Sequence, residues 1–218
     1  MSDGSSETAP TDVLRTRLVD LLGCRYPIVQ TGMGWVSGAN LTAATSAAGG
    51  FGILASITMT SDQFAEAVHT VKERTDAPFG ANFRAGQPDL DDRIAFATKE
   101  GIRLFSFAGA PTKDAIAKIH DAGGLVMPTV GARRHAEKMA EWGVDAVIAQ
   151  GGEGGGHTGS VPTSLLLPEV VEAVGSQIPV VGAGGFHSGA GLVAALAYGA
   201  DGIAMGTRFL LTSDSPVG

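Results

Sequence analysis

The sequence is poor in cysteine and in long apolar runs, and both scarcities exclude classes of protein. Cys24 is the single cysteine among 218 residues, which rules out a disulfide framework and any multi-cysteine metal site. No apolar run approaches ~18 residues, so no transmembrane helix is expected. The first twelve residues lack the basic start and apolar centre of a signal peptide. We therefore expect a cytoplasmic protein that has no membrane partner.

Charge is also scarce, and its balance is acidic. Charged residues make up 17% of the chain, with 15 basic against 22 acidic side chains and a net charge of −7. Nucleic-acid affinity depends on Lys and Arg neutralising phosphates, so the acidic balance argues against a nucleic-acid partner, and none is expected. Apolar residues reach 44%, enough to bury a core and to exclude disorder over most of the chain. Residues 1–14 are expected to form a disordered tail, and residues 15–218 a single domain.

Glycine, in contrast, is abundant: 32 of the 218 residues. That is about twice the usual share of roughly 7%. The glycines follow no collagen-like period and form no low-complexity tract. They indicate many tight turns and close backbone approaches, as in α/β folds that hold a ligand.

Short β-branched or apolar runs alternate with longer amphipathic runs along the chain, which predicts alternating strands and helices. The predicted strands are Pro27–Thr31, Phe51–Ser56, Phe79–Phe83, Leu104–Phe107, Leu125–Thr129, Ala146–Gln150, Pro179–Gly182 and Gly202–Met205. The predicted helices are Ala39–Ala48, Ser61–Thr75, Leu90–Glu100, Lys113–Ala122, Ala132–Trp142, Leu166–Gly175 and Gly189–Tyr198. Ser61 and Asp62 are expected to cap the second of these helices.

Eight strand–helix units at steady spacing predict an α/β fold, a parallel (β/α)8 TIM barrel. The alternative is an open, doubly wound sheet, whose first strand should lead into Gly-x-Gly-x-x-Gly. Here Ser37 stands where the third glycine belongs, which favours the barrel. No eighth helix is predicted after the last strand, so we expect this barrel to lack its last helix and C-terminal cap through truncation.

An enlarged glycine loop follows the sixth predicted strand. The sixth and seventh strands start 33 residues apart, and the excess is the segment 150–159, which contains His157. Loops at the carboxyl ends of barrel strands lie on the catalytic face. An imidazole suits proton transfer near neutral pH, so His157 is the candidate catalytic residue. A purely structural, hydrogen-bonding role for it stays open.

Two glycine turns and three strand-end amides complete the candidate site. Turns at Gly182–Phe186 and Met205–Arg208 follow strands seven and eight, where barrels frequently bind phosphate through backbone N–H groups. Ordinary turn chemistry is the alternative. Gln30, Asn82 and Gln150 end strands one, three and six and can hydrogen-bond a flat polar ring. No His, Cys, Asp or Glu cluster has metal-ligand spacing, so no metal is expected.

In this order, the residues resemble the nitronate monooxygenase (2-nitropropane dioxygenase) family of FMN barrels, which includes a flavin-dependent enoyl-thioester reductase branch. The resemblance extends from Pro27 to Ser215. Its strongest segments are Pro27–Met33, Ala47–Gly52, Pro78–Asn82, Gln150–Gly159, and Gly182–Gly185 with Met205–Phe209. It implies bound FMN and a catalytic role for His157. The implied cofactor-binding residues are Gln30, Gly32, Met33, Asn82, Gln150, Gly155, Gly156, Gly182, Gly184, Gly185, Met205, Gly206 and Thr207.

The resemblance leaves the reaction open between two enzymes. The first expectation is a monooxygenase-like oxidoreductase that oxidises alkyl nitronates with O2. The alternative uses NAD(P)H to reduce an α,β-unsaturated acyl thioester, and a third reading is a flavin-binding module without turnover. The expected partner is a small-molecule substrate, with NAD(P)H and a homodimer as open alternatives. Gly154 stands where the family commonly has alanine.

Overall fold

The computed structural model describes residues 14–156 and 158–217. Eight parallel strands form a closed barrel in sequence order, and β8 pairs with β1 to close it. The strands are β1 Ile28–Gln30, β2 Phe51–Ala55, β3 Phe79–Arg84, β4 Leu104–Ala108, β5 Leu125–Val130, β6 Val147–Gln150, β7 Val180–Ala183 and β8 Gly202–Met205. The predicted TIM barrel is confirmed.

One helix follows each of the first seven strands, as predicted. The helices are α1 Arg17–Leu22, α2 Ala39–Ala47, α3 Ser61–Arg74, α4 Leu90–Lys99, α5 Lys113–Asp121, α6 Arg133–Glu141, α7 Thr163–Val174, α8 Gly189–Ala197 and α9 Thr207–Leu210. After β8 the described residues contain only the single turn α9. None of the described helices is long and apolar enough to cross a membrane. The expected tail at 1–14 falls almost entirely outside the described residues.

Three local predictions need correction. The helix α3 is capped by Thr60 rather than by Ser61 or Asp62, because Thr60 and Gln63 form a reciprocal capping box. The helix α7 begins at Thr163, three residues before the predicted start, since Pro162 takes the N-cap position. The helix α1, which the sequence analysis missed, precedes the first strand.

The helix α1 closes the amino-terminal end of the barrel. Leu18 and Leu22 belong to the same buried cluster as Val29 and Ile53, which point into the barrel. On its outer side, the Arg17 guanidinium donates to both carboxylate oxygens of Asp201, at 2.9 and 2.7 Å. The barrel interior is therefore filled from this end, and the opposite, carboxyl-terminal end is left for the site.

Candidate active site

The loops that carry the predicted site meet at the carboxyl ends of the strands. The loop after β1 lies over β3, because Gly32 contacts Asn82 so closely that a Cβ atom at position 32 would lie 2.4 Å from Asn82 Cβ. The same loop packs on the turn after β8, where a Cβ at Gly206 would lie 3.2 Å from Met33 Sδ. The fold thus brings Gly32 and Met33 together with Asn82 and Gly206, which are distant from them in the sequence.

Ser37 holds the loop after β1 in its shape. Its hydroxyl donates to Thr31 O at 2.8 Å and accepts from Met33 N and Gln30 Nε2, each at 2.8 Å. Ser37 is buried, so these bonds are shielded from water. The sequence analysis noted Ser37 only as a departure from the dinucleotide motif, and its bracing role is visible only in three dimensions.

Strand alternation separates the predicted site residues into two groups. Val29 and Ala204 point into the barrel, so their neighbours Gln30 and Met205 face the helices. Gly182 also faces outward, since a Cβ there would lie 2.8 Å from Leu167 Cδ2 of α7. The side chains of Gln30 and Met205 are therefore buried away from the barrel axis. At these three positions only the backbone is available to a flavin, which corrects the expectation of a side-chain contact at Gln30.

Asn82 and Gln150, in contrast, occupy inward positions at the carboxyl-terminal end. The Asn82 Nδ2 donates to the buried Ser106 hydroxyl at 3.3 Å. Gln150 Nε2 donates to Gly155 O at 2.9 Å. A Cβ at Gly154 would lie 2.7 Å from Gln150 Nε2, so the Gln150 side chain fills the space of the alanine that is common in the family.

Glu153 anchors the glycine loop to the start of α7. Its carboxylate accepts from the Thr163 backbone N–H and hydroxyl, both at 2.8 Å. The backbone bond first, and then the hydroxyl bond, lowers the pKa of Glu153 below its usual range. The Thr163 hydroxyl also lies 3.3 Å from Ala183 O at the end of β7. The glycine loop, the helix α7 and the end of β7 therefore form one connected unit.

The turns after β7 and β8 fit a phosphate group. Gly184 and Gly185 both have positive φ, +95° and +77°, a conformation that suits glycine and turns successive N–H groups to one side. Among the described residues, none accepts a hydrogen bond from the N–H of Gly184, Gly185 or Gly206. The strands β7 and β8 are neighbours, so the two turns lie side by side. Unpaired N–H groups on glycine turns are the donors an FMN phosphate requires.

His157 lies outside the described residues, so its predicted role stays a prediction. The neighbouring Gly155 and Gly156 are exposed, and Gly156 has a φ of +77°. His187 lies exposed just past the β7 turn. In the described parts of the chain, no three His, Cys, Asp or Glu side chains lie close enough to hold a metal ion.

Trp35 is a residue that the sequence analysis missed. It is 85% exposed and has a φ of +61°, the only positive φ among the described non-glycine residues. A bulky side chain in this region costs about 1–3 kcal/mol, and such strain concentrates at functional sites. Trp35 N–H donates to Thr58 Oγ1 at 3.1 Å, which helps hold the conformation. No local sequence pattern predicts it.

The chain is similar to a known protein family and to solved structures. Residues 15–218 match the family model described as nitronate monooxygenase. FabK from Thermotoga maritima is similar in structure, with a TM-score of 0.89 and 38% identity, over 94% of this chain and 65% of that one. The described fold is therefore that of known enzymes of this type.

Two curated relatives differ in their similarity to this chain. One from Mycobacterium tuberculosis is 60% identical over 94% of this chain and 58% of its own length. It is named (3aS,4S,5R,7aS)-5-hydroxy-7a-methyl-1-oxo-octahydro-1H-indene-4-carboxyl-CoA dehydrogenase. A probable nitronate monooxygenase from Staphylococcus saprophyticus is 30% identical, over 93% of this chain and 70% of that relative. The chain thus spans less than two-thirds of the more similar of the two relatives.

Proposed function

The chain belongs to the nitronate monooxygenase family, and from that premise we propose that it is an FMN-dependent dehydrogenase of a fused-ring acyl-CoA thioester. Family membership supports an FMN-dependent oxidoreductase that turns over a substrate. The flavin-binding module without turnover is therefore set aside. The acyl-CoA substrate and the direction of the reaction are the proposal.

The proposal rests on the difference in sequence identity between this chain and its two relatives. The chain is 60% identical to the acyl-CoA dehydrogenase and 30% identical to the probable nitronate monooxygenase, over nearly the same residues. The catalytic face lies within the compared residues. Similarity to the dehydrogenase therefore bears on the site as well as on the fold.

FMN supplies a two-electron acceptor. The chain's own residues bind and orient the reactants: the turns at Gly184-Gly185 and Gly206 offer N–H donors to the phosphate, while Asn82 and Gln150 lie inward where a flat polar ring would sit. In dehydrogenation the substrate loses one proton and one hydride. Bound FMN would accept that hydride, and O2 or NAD(P)+ would be the final electron acceptor.

His157 is the proposed general base. A neutral imidazole has a reference pKa near ~6.5, so at neutral pH it is largely available to remove an acidic C–H proton. The thioester carbonyl acidifies the C–H bond beside it, which gives the base its target. Glu153 and Gln150 hold the described part of the loop that precedes His157.

Nitronate oxidation with O2 is the second candidate, favoured by the family model that covers residues 15–218. The histidine separates the two reactions, because a nitronate has already lost its proton. In His157→Ala, turnover of a neutral substrate should fall about 10²–10⁴-fold, and turnover of the pre-ionised nitronate much less. If both fell equally, together with FMN content, His157 would be a structural brace instead.

Product analysis tests the proposed reaction. The holoprotein is incubated with a fused-ring acyl-CoA and either O2 or NAD+, and the product is examined by mass spectrometry. The proposal expects an acyl-CoA that has lost two hydrogens, formed by wild type and by the exposed-residue control His187→Ala, and formed far more slowly by His157→Ala. An unchanged acyl-CoA with both acceptors, together with oxidation of a nitronate, would reject it.

A further inference from the structure

Trp35 stands beside a groove that the proposed function does not use. The groove has a volume of about 640 Å³ and lies outside the barrel, between α2, α3 and the segment 213–216. Its lining residues include Trp35, Val36, Thr58 and Met59. Cavities of this size hold small-molecule ligands.

Backbone hydrogen bonds connect the groove-lining residues Val36 and Ser37 to Met33 in the loop after β1. Val36 N–H and Ser37 N–H donate to Met33 O at 3.1 and 2.8 Å, so Trp35 sits inside one tight turn with Met33. The hydroxyl of Ser37 fixes the base of this turn. Trp35 is thus two residues from Met33, at the rim of the candidate active site.

The charge of the groove indicates which part of an acyl-CoA suits it. Its charged lining residues are Arg74, Glu66 and Asp214, one cation against two carboxylates. The Arg74 guanidinium already donates to the Asn40 side chain. A surface with this balance repels the phosphates of the nucleotide end of CoA. An uncharged group suits it better, and the lining offers such a group both polar side chains and apolar surface.

We propose that Trp35 is a specificity residue that contacts the fused-ring acyl body of the substrate, at the mouth of this groove. The inference rests on the proposed acyl-CoA function. The indole offers a large, rigid apolar surface, and its exposure leaves that surface open to a ligand. The left-handed backbone conformation of Trp35 costs conformational energy, and a role in ligand binding explains why that cost is tolerated.

Steady-state kinetics with the holoprotein test this role. In Trp35→Gly the KM for a fused-ring acyl-CoA should rise about tenfold or more, as expected for loss of a Trp contact, while kcat changes little. Trp35→Phe should restore part of the affinity. Thermal stability should be equal or higher in Trp35→Gly, because glycine adopts a φ of +61° without strain. The control Val193→Ala removes another exposed apolar side chain and should change neither quantity.

Fluorescence gives a reading independent of activity. The chain has two tryptophans, so Trp142→Phe leaves Trp35 as the single indole. The probe is an unreactive thioether analogue of the fused-ring acyl-CoA, compared with free CoA. The analogue should shift Trp35 emission to the blue and protect it from acrylamide quenching, whereas free CoA should do neither.

The role of Trp35 and the proposed dehydrogenase function can fail separately in these experiments. If wild type dehydrogenates the acyl-CoA but the probe leaves Trp35 emission unchanged, or if KM in Trp35→Gly is unaltered, the inference is overturned and the function stands. A fall in stability of Trp35→Gly together with loss of FMN would assign Trp35 a structural role and also overturn it. If wild type does not dehydrogenate the acyl-CoA, the proposed function fails first.

Discussion

Gly32 lies directly against Asn82, and a Cβ atom at position 32 would lie 2.4 Å from Asn82 Cβ and 2.9 Å from Asn82 Cγ. The contact joins the loop after β1 to the inward face of β3. Asn82 in turn donates to Ser106 on β4. A glycine at this position therefore sets how closely the loop after β1 approaches the barrel end.

Gly32→Ala should weaken FMN binding and lower stability. Neither Asn82 Cβ nor the loop can move without disturbing neighbouring strands, so overpacking should cost about 1–3 kcal/mol. The measurement is the FMN dissociation constant, with urea unfolding of the holoprotein. Gly189→Ala is the matched control, because a Cβ there meets nothing within 4 Å. Equal behaviour of the two variants would show that the close contact has no energetic consequence.

Glu153→Gln should lower stability at neutral pH and have little effect in acid. Because the pKa of Glu153 is lowered in the folded protein, its ionised form favours folding. That contribution is complete above the unfolded pKa of about 4.3 and disappears as the pH falls through the folded pKa. The difference between variant and wild type in unfolding free energy, measured from pH 7 to pH 3, should therefore shrink. Glu169→Gln, which replaces an exposed carboxylate on α7, is the matched control.

Leu18→Ala should be strongly destabilising, since Leu18 is fully buried at the closed end of the barrel. Truncation of a buried leucine costs about 2–5 kcal/mol. Urea unfolding measures the loss. Leu165, on α7, is 59% exposed, and Leu165→Ala should cost far less. A small effect of Leu18→Ala would mean that α1 does not contribute to the barrel core.

Cys24 should react slowly with thiol reagents while the protein is folded. Burial raises the pKa of its thiol to about 11, so little thiolate is present at pH 8. Alkylation at pH 8 should be about 100-fold slower than in urea, where the free-cysteine pKa of about 8.5 returns. Equal rates in the two conditions would contradict the half-buried environment of Cys24.

The fold was predictable because its signals are local and repeat eight times. Alternating apolar runs and glycine-ended helices located all eight strands and seven helices. The helix α1 was missed because its six residues precede the first strand and carry no repeating pattern. The helix α9 was missed because its four residues are too few to show a helical pattern.

The site was predictable as a set of loops but not as a set of side chains. The motifs identified the strand ends, yet the sequence did not indicate that Gln30 and Met205 face the helices while Asn82 faces inward. Whether a strand residue points in or out depends on its register, which only the paired strands fix. No short motif signals the other site residues. Ser37 and Thr163 bond to residues several positions away in the sequence, and Trp35 is distinguished by its strained backbone.

Anaerobic mixing of the holoprotein with each candidate substrate tests the central claim most directly, through the flavin absorbance. We expect a fused-ring acyl-CoA to bleach the flavin of wild type and a nitronate to bleach it poorly. In His157→Ala, bleaching by the acyl-CoA should be about 10²–10⁴-fold slower, with no loss of FMN. Bleaching by the nitronate alone, or by NAD(P)H alone while the saturated acyl-CoA has no effect, would contradict the proposed dehydrogenase.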